Sequence, residues 1–288
     1  MSEEPRFPPS AAIVVSIAAV STASILIRMS AAGPLVIAAY RLVFATLILL
    51  PFFIHGGGVE QLRGAGRRGA LTLAAVGVVL AVHFASWISS LSFTSVASSV
   101  IFVHADPVFV AVASHFLLGE RITRRRLMGI AVAFAGAAVI AVGDLGVGEA
   151  NLYGDALALV GALMLGVYIL SGRRLRQRLD LVSYVTPVYG ASAAALVAGC
   201  VVAGAPLAPY PPREYLLFLA LAVVPMIFGH TVYNWALRYV EAPVVSISLL
   251  GEPVGATLLA YLVLGEAPAP LVLAGGLVTL LGIYVTSS

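Results

Sequence analysis

Apolar runs of about 20 residues recur along the whole chain, each long enough to cross about 30 Å of hydrocarbon as a helix. The runs are solidly apolar and do not alternate as a half-buried strand would. In lipid the backbone must satisfy its own hydrogen bonds, which a helix does within one segment. The composition agrees, since 61% of residues are hydrophobic and only 10% are charged, whereas a soluble domain is about a quarter charged. The sequence therefore predicts an all-α membrane protein.

Ten apolar segments can be separated, and the short connections between them predict antiparallel neighbours. The N-terminal stretch MSEEPRFPPS lacks the basic region of a signal peptide, so the first segment is predicted to be retained as a helix. The ten segments lie at roughly 11–29, 34–54, 70–91, 95–117, 126–143, 153–171, 182–203, 214–236, 242–263 and 269–287.

The two halves of the chain resemble each other at a constant offset. Gly119 and Gly265 lie 146 positions apart, and the same offset aligns further residues without a gap. Residues 1–145 and 146–288 are therefore predicted to be two five-helix repeats. The pairs at this offset are Asp106-Pro107 with Glu252-Pro253, Leu118-Gly119-Glu120 with Leu264-Gly265-Glu266, Gly129 with Gly275, and Gly136 with Gly282.

Arginines are unevenly distributed among the predicted connections. Because each repeat holds an odd number of helices, the second repeat enters the membrane from the opposite side, and equivalent connections face opposite compartments. Arginine-rich connections stay in the cytoplasm, which predicts cytoplasmic N- and C-termini for a multi-pass protein of the bacterial cytoplasmic (inner) membrane. Inverted repeats are a device of secondary transporters, whose substrate site lies near the midplane between the repeats. The arginines concerned are Arg63, Arg67 and Arg68, then Arg121, Arg124, Arg125 and Arg126, and then Arg173, Arg174, Arg176 and Arg178.

The repeated motifs resemble a known family. Two five-helix repeats, each with a mid-helix Pro-Val, a terminal Leu-Gly-Glu and a following helix with two spaced glycines, are similar to the EamA family of the drug/metabolite transporter superfamily. Arg41 resembles that family's arginine in the second helix, although Pro187 takes the equivalent place in the second half. The resemblance implies export of amino acids, other metabolites or drugs, and the chain looks most like bacterial exporters of aromatic and other amino acids. The residues that carry it are Pro107-Val108, Leu118-Gly119-Glu120, Gly129 and Gly136, with Pro253-Val254, Leu264-Gly265-Glu266, Gly275 and Gly282 as their counterparts.

Two acidic residues, Asp106 and Glu252, lie near the middle of the fourth and ninth segments, each directly before a proline. A charge at the bilayer centre costs about 2.5 kcal/mol or more, so both carboxyls are expected to face protein or water. Pro107 and Pro253 each remove a backbone hydrogen bond and are expected to kink their helices. Two interpretations stay open: a substrate-amine or proton site at a symmetric kink, or a structural acid that is paired with an arginine such as Arg41 or that caps the broken backbone.

Polar and aromatic residues at helical spacing predict a substrate cavity. His83 and Trp87 are four positions apart and share one face of the third segment, with Ser86 near them. Aromatic rings with a few hydrogen-bonding groups would suit an amino acid side chain, although interhelical packing or an interfacial aromatic belt would explain the same pattern. The predicted cavity residues are His83, Ser86, Trp87, His230, Tyr233 and Asn234, together with Tyr40 and Tyr168.

Other polar and small residues are expected to serve structure. Glu120 and Glu266 each lie at the end of a helix. The next helix begins with free backbone N–H groups, and we expect these to donate to the glutamate carboxylate and close the loop. The two pairs of glycines seven positions apart are expected to pack within a repeat or at a dimer contact, and both a monomer and a homodimer stay open. His104 and His115 are expected to serve packing or interface roles.

The sequence contains none of the common catalytic, ATP-binding or dinucleotide-binding motifs, and the spacing of its five histidines fits no metal site, so no cofactor or metal is predicted. All 16 basic residues are arginines, and most of them lie in or beside short connections, which argues against nucleic acid as a partner and leaves a small molecule and the bilayer. The prediction is a secondary transporter or facilitator that exports aromatic and other neutral amino acids. A proton-coupled exporter of drugs or other metabolites, an intramembrane enzyme and a passive channel remain as alternatives.

Overall fold

A computed structural model of the chain describes residues 8–109, 123–145, 148–240, 245 and 248–287. Within these ranges the regular secondary structure is helical throughout, and the helices are numbered in chain order. They are α1 (Pro9–Met29), α2 (Pro34–His55), α3 (Gly58–Ser90), α4 (Val96–Phe109), α5 (Arg124–Leu145), α6 (Glu149–Leu175), α7 (Leu181–Val202), α8 (Pro212–Ala236), α9 (Gly251–Leu264) and α10 (Pro270–Ser287).

Seven of these helices, α1, α2, α3, α5, α6, α7 and α8, are long and apolar enough to cross a membrane. The other three, α4, α9 and α10, are shorter apolar helices over the residues that the structure describes. These findings confirm the prediction of an all-α membrane protein. The motif Leu118-Gly119-Glu120 lies outside the described residues, as do His115 and Arg121.

Irregular backbone occurs in several of the helices, among them α4, α8 and α9. α4 is interrupted at His104–Ala105, directly before Asp106-Pro107, and α9 begins directly before Glu252-Pro253. In α8 the backbone widens into π-helical turns over Ala222–Thr231, and such turns are frequent at functional sites. These three segments carry several of the side chains that form the site described below.

A seam of glycines joins α5 to α10. Gly129 faces Gly282 and Gly136 faces Gly275, so the two helices run antiparallel. A Cβ added to Gly136 would lie 2.7 Å from the carbonyl oxygen of Gly275, and one added to Gly129 would lie 2.8 Å from that of Gly282. Only glycine permits so close an approach of the two backbones. The seam connects the two halves of the chain, which corrects the expectation that each glycine pair packs within a repeat or at a dimer contact.

Polar contacts hold the helix ends together at one end of the bundle, which we call the Arg28 end. The Nη2 atom of Arg28 donates to the carbonyl of Thr94 at 2.9 Å and lies 3.5 Å from the Glu266 carboxylate. Glu266 also accepts the backbone N–H of Val96 at 2.6 Å, a favourable place for a negative charge because it is the N-terminus of α4. Glu266 therefore caps α4 and not α10, the following helix that the sequence suggested; Glu120 lies outside the described residues.

A second set of contacts defines the opposite end, which we call the Asp180 end. Asp180 is hydrogen-bonded to Gln61, and Nη1 of Arg238 lies 3.3 Å from its carboxylate. The Nε atom of Arg176 donates to the carbonyl of Asn234 at 3.1 Å. Burial lowers the pKa of Arg176 to about 10, so this guanidinium stays charged at neutral pH. The connections after α2, α6 and α8 thus meet at the Asp180 end, whereas those after α1, α3 and α9 meet at the Arg28 end.

Candidate functional site

A narrow cavity lies where α1, α2, α3, α4, α6, α8 and α9 meet. Its volume is about 20 Å³, which is room for about one water molecule. A solute larger than water can therefore enter only after the surrounding helices have separated. Both halves of the chain contribute to the wall, which consists of Val20, Ala23, Arg41, His83, Trp87, Val103, His104, Leu165, His230, Tyr233, Leu249 and Glu252.

Arg41 brings a guanidinium to this cavity, although its side chain has no exposed surface. Its Cζ atom lies 4.3 Å from the ring centroid of Phe84 and 6.0 Å from that of Trp87, a cation–π arrangement. None of its three side-chain nitrogens has a hydrogen-bond acceptor among the described residues. Since nearly all buried polar groups in proteins are hydrogen-bonded, this guanidinium is available to an acceptor that is not part of the protein.

Glu252 brings a carboxylate to the same cavity, and its Oε2 atom lies 3.2 Å from Nε2 of His104. The other ring nitrogen of His104 lies 2.9 Å from the carbonyl of Val100, so Nδ1 carries a proton. The contact between Nε2 and the carboxylate then requires one further proton, either on the ring or on the carboxyl group. The pair therefore holds a proton between α4 and α9, and His104 has a polar role that the sequence did not suggest.

Two histidines and a tyrosine complete the polar wall. The Nδ1 atom of His83 donates to the carbonyl of Gly161 at 2.9 Å, and Nδ1 of His230 lies 2.7 Å from the Tyr233 hydroxyl. The rings of His83 and Trp87 are stacked with their centroids 6.1 Å apart. The shared helix face that the sequence indicated for His83 and Trp87 is thus the face that lines the cavity.

Three other residues of the predicted set lie behind this wall. The Nδ2 atom of Asn234 donates to the Tyr168 hydroxyl at 2.9 Å and to the carbonyl of His230 at 2.6 Å. Asn234 and Tyr168 therefore support His230 and do not line the cavity themselves. The hydroxyl of Ser86 donates to the carbonyl of Val82 on its own helix at 2.7 Å, so it too is occupied within the protein.

The family to which this fold belongs follows from the sequence profile. The sequence profile of the EamA-like transporter family matches residues 9–142 and 152–288. The chain belongs to the EamA-like transporter family. This finding confirms the resemblance that the repeated motifs indicated, and the family's description is that of transporters.

Relatives of this transporter carry transporter names. Two Archaeoglobus fulgidus proteins, each named an uncharacterized transporter, are 24% identical over 258 residues (88% of both chains) and 25% identical over 276 residues (96% of this chain and 94% of the relative). A Streptantibioticus cattleyicolor protein named a probable terminal-alkyne amino-acid exporter is 30% identical over 182 residues, 62% of this chain and 60% of the relative. A solved crystal structure with 22% sequence identity covers 96% of both chains with a TM-score of 0.67, so it shares the fold.

Tyr40 of the transporter lies outside the cavity wall. Its hydroxyl donates to the carbonyl of Leu207 at 2.6 Å, and its ring is stacked on Phe218 with centroids 4.6 Å apart. The ring of Tyr215 packs edge-on against the ring of Tyr40, with centroids 5.7 Å apart. Tyr40 therefore belongs to an aromatic cluster formed by α2, α8 and the connection before α8.

Asp106 is buried, with 2% of its surface exposed, and directly follows the interruption in α4. It is not among the side chains that line the cavity. Its repeat counterpart Glu252 does line the cavity, so the two acids are not equivalent in this conformation. Pro107 and Pro253 follow them at the irregular segments of α4 and α9.

Sequence reasoning missed two contributors, His104 and Phe84. His104 is the carboxylate partner of Glu252, and Phe84 is the ring beneath the Arg41 guanidinium. The position of His104 close before Asp106-Pro107 was the available signal, because a polar residue at a helix break is a candidate for a site. Phe84 carried no signal, since a phenylalanine in an apolar helix is ordinary. Among the described residues, no group of three or more His, Cys, Asp and Glu side chains is placed to hold a metal ion.

Proposed function

We propose that this transporter is a carrier that exports aromatic and other neutral amino acids across the bacterial cytoplasmic membrane. The observation that carries the proposal is the narrow cavity, whose polar and aromatic wall comes from both halves of the chain. It holds about one water molecule, so it is a site that helices must open, as alternating access requires. A channel, in contrast, needs a continuous path.

Two features support amino acids as the cargo. The relative from Streptantibioticus cattleyicolor is named a probable terminal-alkyne amino-acid exporter. The cavity also combines ionisable groups, Arg41 and Glu252, with the rings of His83, Trp87 and Tyr233. An aromatic amino acid has both a charged and an aromatic part, which such a wall accommodates.

The proposal includes a ten-helix architecture in which residues 1–145 and 146–288 form two inverted five-helix repeats. The α5–α10 seam supports it. Gly129 contacts Gly282 and Gly136 contacts Gly275. The two contacts exchange under the repeat, because Gly275 is the counterpart of Gly129 and Gly282 is the counterpart of Gly136. A second, similar contact supports it as well. Arg28 donates to the carbonyl of Thr94 at the Arg28 end. Arg173, one position before the repeat counterpart of Arg28, donates at 3.2 Å to the carbonyl of Val240, the repeat counterpart of Thr94.

The orientation in the membrane forms part of the same proposal. The sequence placed Arg63, Arg67 and Arg68 in a connection, but they lie in the N-terminal part of α3, which begins at the Asp180 end, where Gln61 contacts Asp180. The arginine-rich connection after α6 lies at the same end, as does Arg238. Arginine-rich connections are retained in the cytoplasm. The Asp180 end is therefore assigned to the cytoplasm, with both chain termini on that side, and the Arg28 end is assigned to the outside.

Downhill export without a coupling ion is the preferred mode. A cell that disposes of surplus amino acids has a higher concentration inside than outside, so a facilitator suffices. The proton held between His104 and Glu252 favours one alternative, a proton-coupled exporter of drugs or other metabolites. We prefer transport to intramembrane catalysis because the family is one of transporters.

Efflux from intact cells tests the cargo. Cells loaded with a dipeptide of an aromatic or aliphatic amino acid release the liberated amino acid, and cells that express the transporter should release it faster than cells with an empty vector. Unchanged efflux across the whole panel would refute amino acid export.

A pair of tryptophan variants provides the matched control, because the chain has only two tryptophans. Trp87→Ala, in the cavity wall, should reduce efflux toward the empty-vector rate. Trp235→Ala, whose ring packs on Tyr239 with centroids 4.8 Å apart, should retain efflux at equal expression.

A further inference from the structure

We propose that the cavity recognises its substrate as a zwitterion: Arg41 binds the α-carboxylate and Glu252 binds the α-amino group. This inference rests on the proposed function and deepens it, since it states which chemical groups the cargo must carry. A compound that lacks either group should be a poor substrate even if its side chain is unchanged.

The carboxylate half of the proposal rests on the donors that the protein leaves unsatisfied. Arg41 has no exposed surface, and its Nε, Nη1 and Nη2 atoms all lack an acceptor among the described residues. The indole Nε1 of Trp87, which lines the same cavity, also lacks an acceptor. A guanidinium presents its N–H groups as a planar fork that matches a carboxylate. An anion with two oxygen acceptors is therefore the ligand that this part of the wall fits.

Two aromatic rings contact the guanidinium. Its Cζ atom lies 4.3 Å from the centroid of Phe84 and 6.0 Å from that of Trp87. Ring faces attract the cation without occupying its hydrogen-bond donors. Arg41 is thus oriented while its N–H groups stay available, as expected for a residue that awaits a ligand.

The amino-group half of the proposal rests on Glu252. Its carboxylate lines the same cavity, and its Oε2 atom lies 3.2 Å from a titratable ring, at Nε2 of His104. An α-ammonium group presents three N–H donors to a carboxylate, whereas the His104 ring presents one. When the substrate enters, its ammonium group takes the place of the His104 N–H on Glu252, and the proton that the pair shared remains on the His104 ring.

The two anchors belong to different halves of the chain. Arg41 lies on α2 in residues 1–145, whereas Glu252 lies on α9 in residues 146–288. A zwitterion held by both residues connects the halves across the cavity, which favours closure around the substrate. A compound with only one of the two charged groups engages one half alone and leaves this connection unmade.

Three labelled compounds with the same side chain test the proposal in proteoliposomes: the best-transported amino acid, its carboxamide and its deaminated acid. The wild-type protein should transport the amino acid at least about tenfold faster than either analogue, which is the usual effect of losing one hydrogen bond to a charged group. This comparison needs no variant, so it does not depend on how a mutant folds. Equal rates for the amino acid and both analogues would overturn the inference.

Variants of the anchors then assign the two groups. In Arg41→Gln, the ratio of the transport rate of the amino acid to that of its amide should fall close to one. In Glu252→Gln, the ratio of the transport rate of the amino acid to that of the deaminated acid should fall close to one. A structural role would lower all three rates together and leave both ratios unchanged, which would overturn the assignment. Arg213→Gln, an exposed arginine at the Arg28 end that donates to the carbonyl of Met29 at 3.1 Å, serves as the control and should leave both ratios unchanged.

Binding can be followed separately from transport through Trp87. Trp235→Phe leaves Trp87 as the only tryptophan, and its emission should change when the amino acid binds. The half-saturating concentration should rise at least about tenfold for the amide. If an amino acid is transported but the amino acid and its amide bind equally well, zwitterion recognition is refuted and the proposed function stands. If no amino acid is transported, the proposed function is refuted as well.

Discussion

The guanidinium of Arg41 lies over the ring of Phe84, with Cζ 4.3 Å from the ring centroid. This contact places a buried charge between α2 and α3 while its N–H groups lack acceptors among the described residues. Burial of a charge is costly unless it is compensated, and the ring face supplies part of that compensation. The relationship explains how a fully buried arginine can remain available to a substrate.

Loss of the Phe84 ring should impair the site without removing any polar group. Phe84→Leu removes a cation–π contact of about 0.5–2 kcal/mol and leaves Arg41 free to turn. We expect a higher half-saturating concentration for transport, measured with labelled amino acid in proteoliposomes. Phe134→Leu, at a position on α5 that is 62% exposed, is the matched control. Equal effects of the two variants would contradict a specific role for Phe84.

Two tyrosines of the predicted cavity set should now respond differently. Tyr40→Phe breaks the hydrogen bond to the carbonyl of Leu207 and should cost about 1 kcal/mol of stability with transport unchanged. Tyr233→Phe removes the hydroxyl that contacts His230 in the cavity wall and should weaken substrate affinity. Melting temperature and concentration-dependent transport, measured on the same preparations, separate the two effects. Loss of affinity in Tyr40→Phe alone would reverse this assignment.

The difference between these tyrosines shows what the sequence can predict. The spacing of His83 and Trp87 identifies a shared helix face, because the period of a helix is known. It does not identify which neighbouring helix that face meets. Tyr40 and Arg41 are adjacent in the sequence, yet Arg41 faces the cavity and Tyr40 faces the aromatic cluster around Phe218.

The partners of charged residues were equally hard to predict. A buried acid such as Glu252 could be expected to need a partner, but the choice of His104 depends on how α4 and α9 approach each other. The glycines of α5 and α10 signalled close packing, while the identity of the packed helix required the three-dimensional arrangement. Patterns within one helix are therefore readable from sequence, and contacts between helices are not.

The glycine seam should be sensitive to the smallest added side chain. Gly136→Ala would place a Cβ 2.7 Å from the carbonyl oxygen of Gly275, and overpacking of this kind typically costs about 1–3 kcal/mol. Gly199→Ala is the control, because nothing lies within 4 Å of the added Cβ and alanine favours a helix. We expect a lower melting temperature for Gly136→Ala only. A decrease of the same size in both variants would show that the seam is not the cause.

The proposed orientation can be measured with single cysteines. The native cysteine is buried, and Cys200→Ser provides a cysteine-free background. Thr123→Cys and Ala267→Cys place thiols at exposed positions that are assigned to opposite sides of the membrane. A membrane-impermeant maleimide added to intact cells should label only the second variant, and permeabilised cells should show both. Labelling of the first variant alone, or of both in intact cells, would contradict the inverted repeat.

The central claim, that the cavity is the site of an amino acid facilitator with alternating access, is tested most directly by counterflow in proteoliposomes. Uptake of a labelled aromatic amino acid is measured with and without the unlabelled compound inside, and with and without a pH gradient at clamped membrane potential. We expect saturable uptake that internal substrate accelerates and that never exceeds equilibrium in the absence of internal substrate. Uptake that rises linearly with concentration and ignores internal substrate would indicate a channel. Accumulation driven by the pH gradient would contradict the facilitator and make Asp106 and Glu252 the first residues to neutralise.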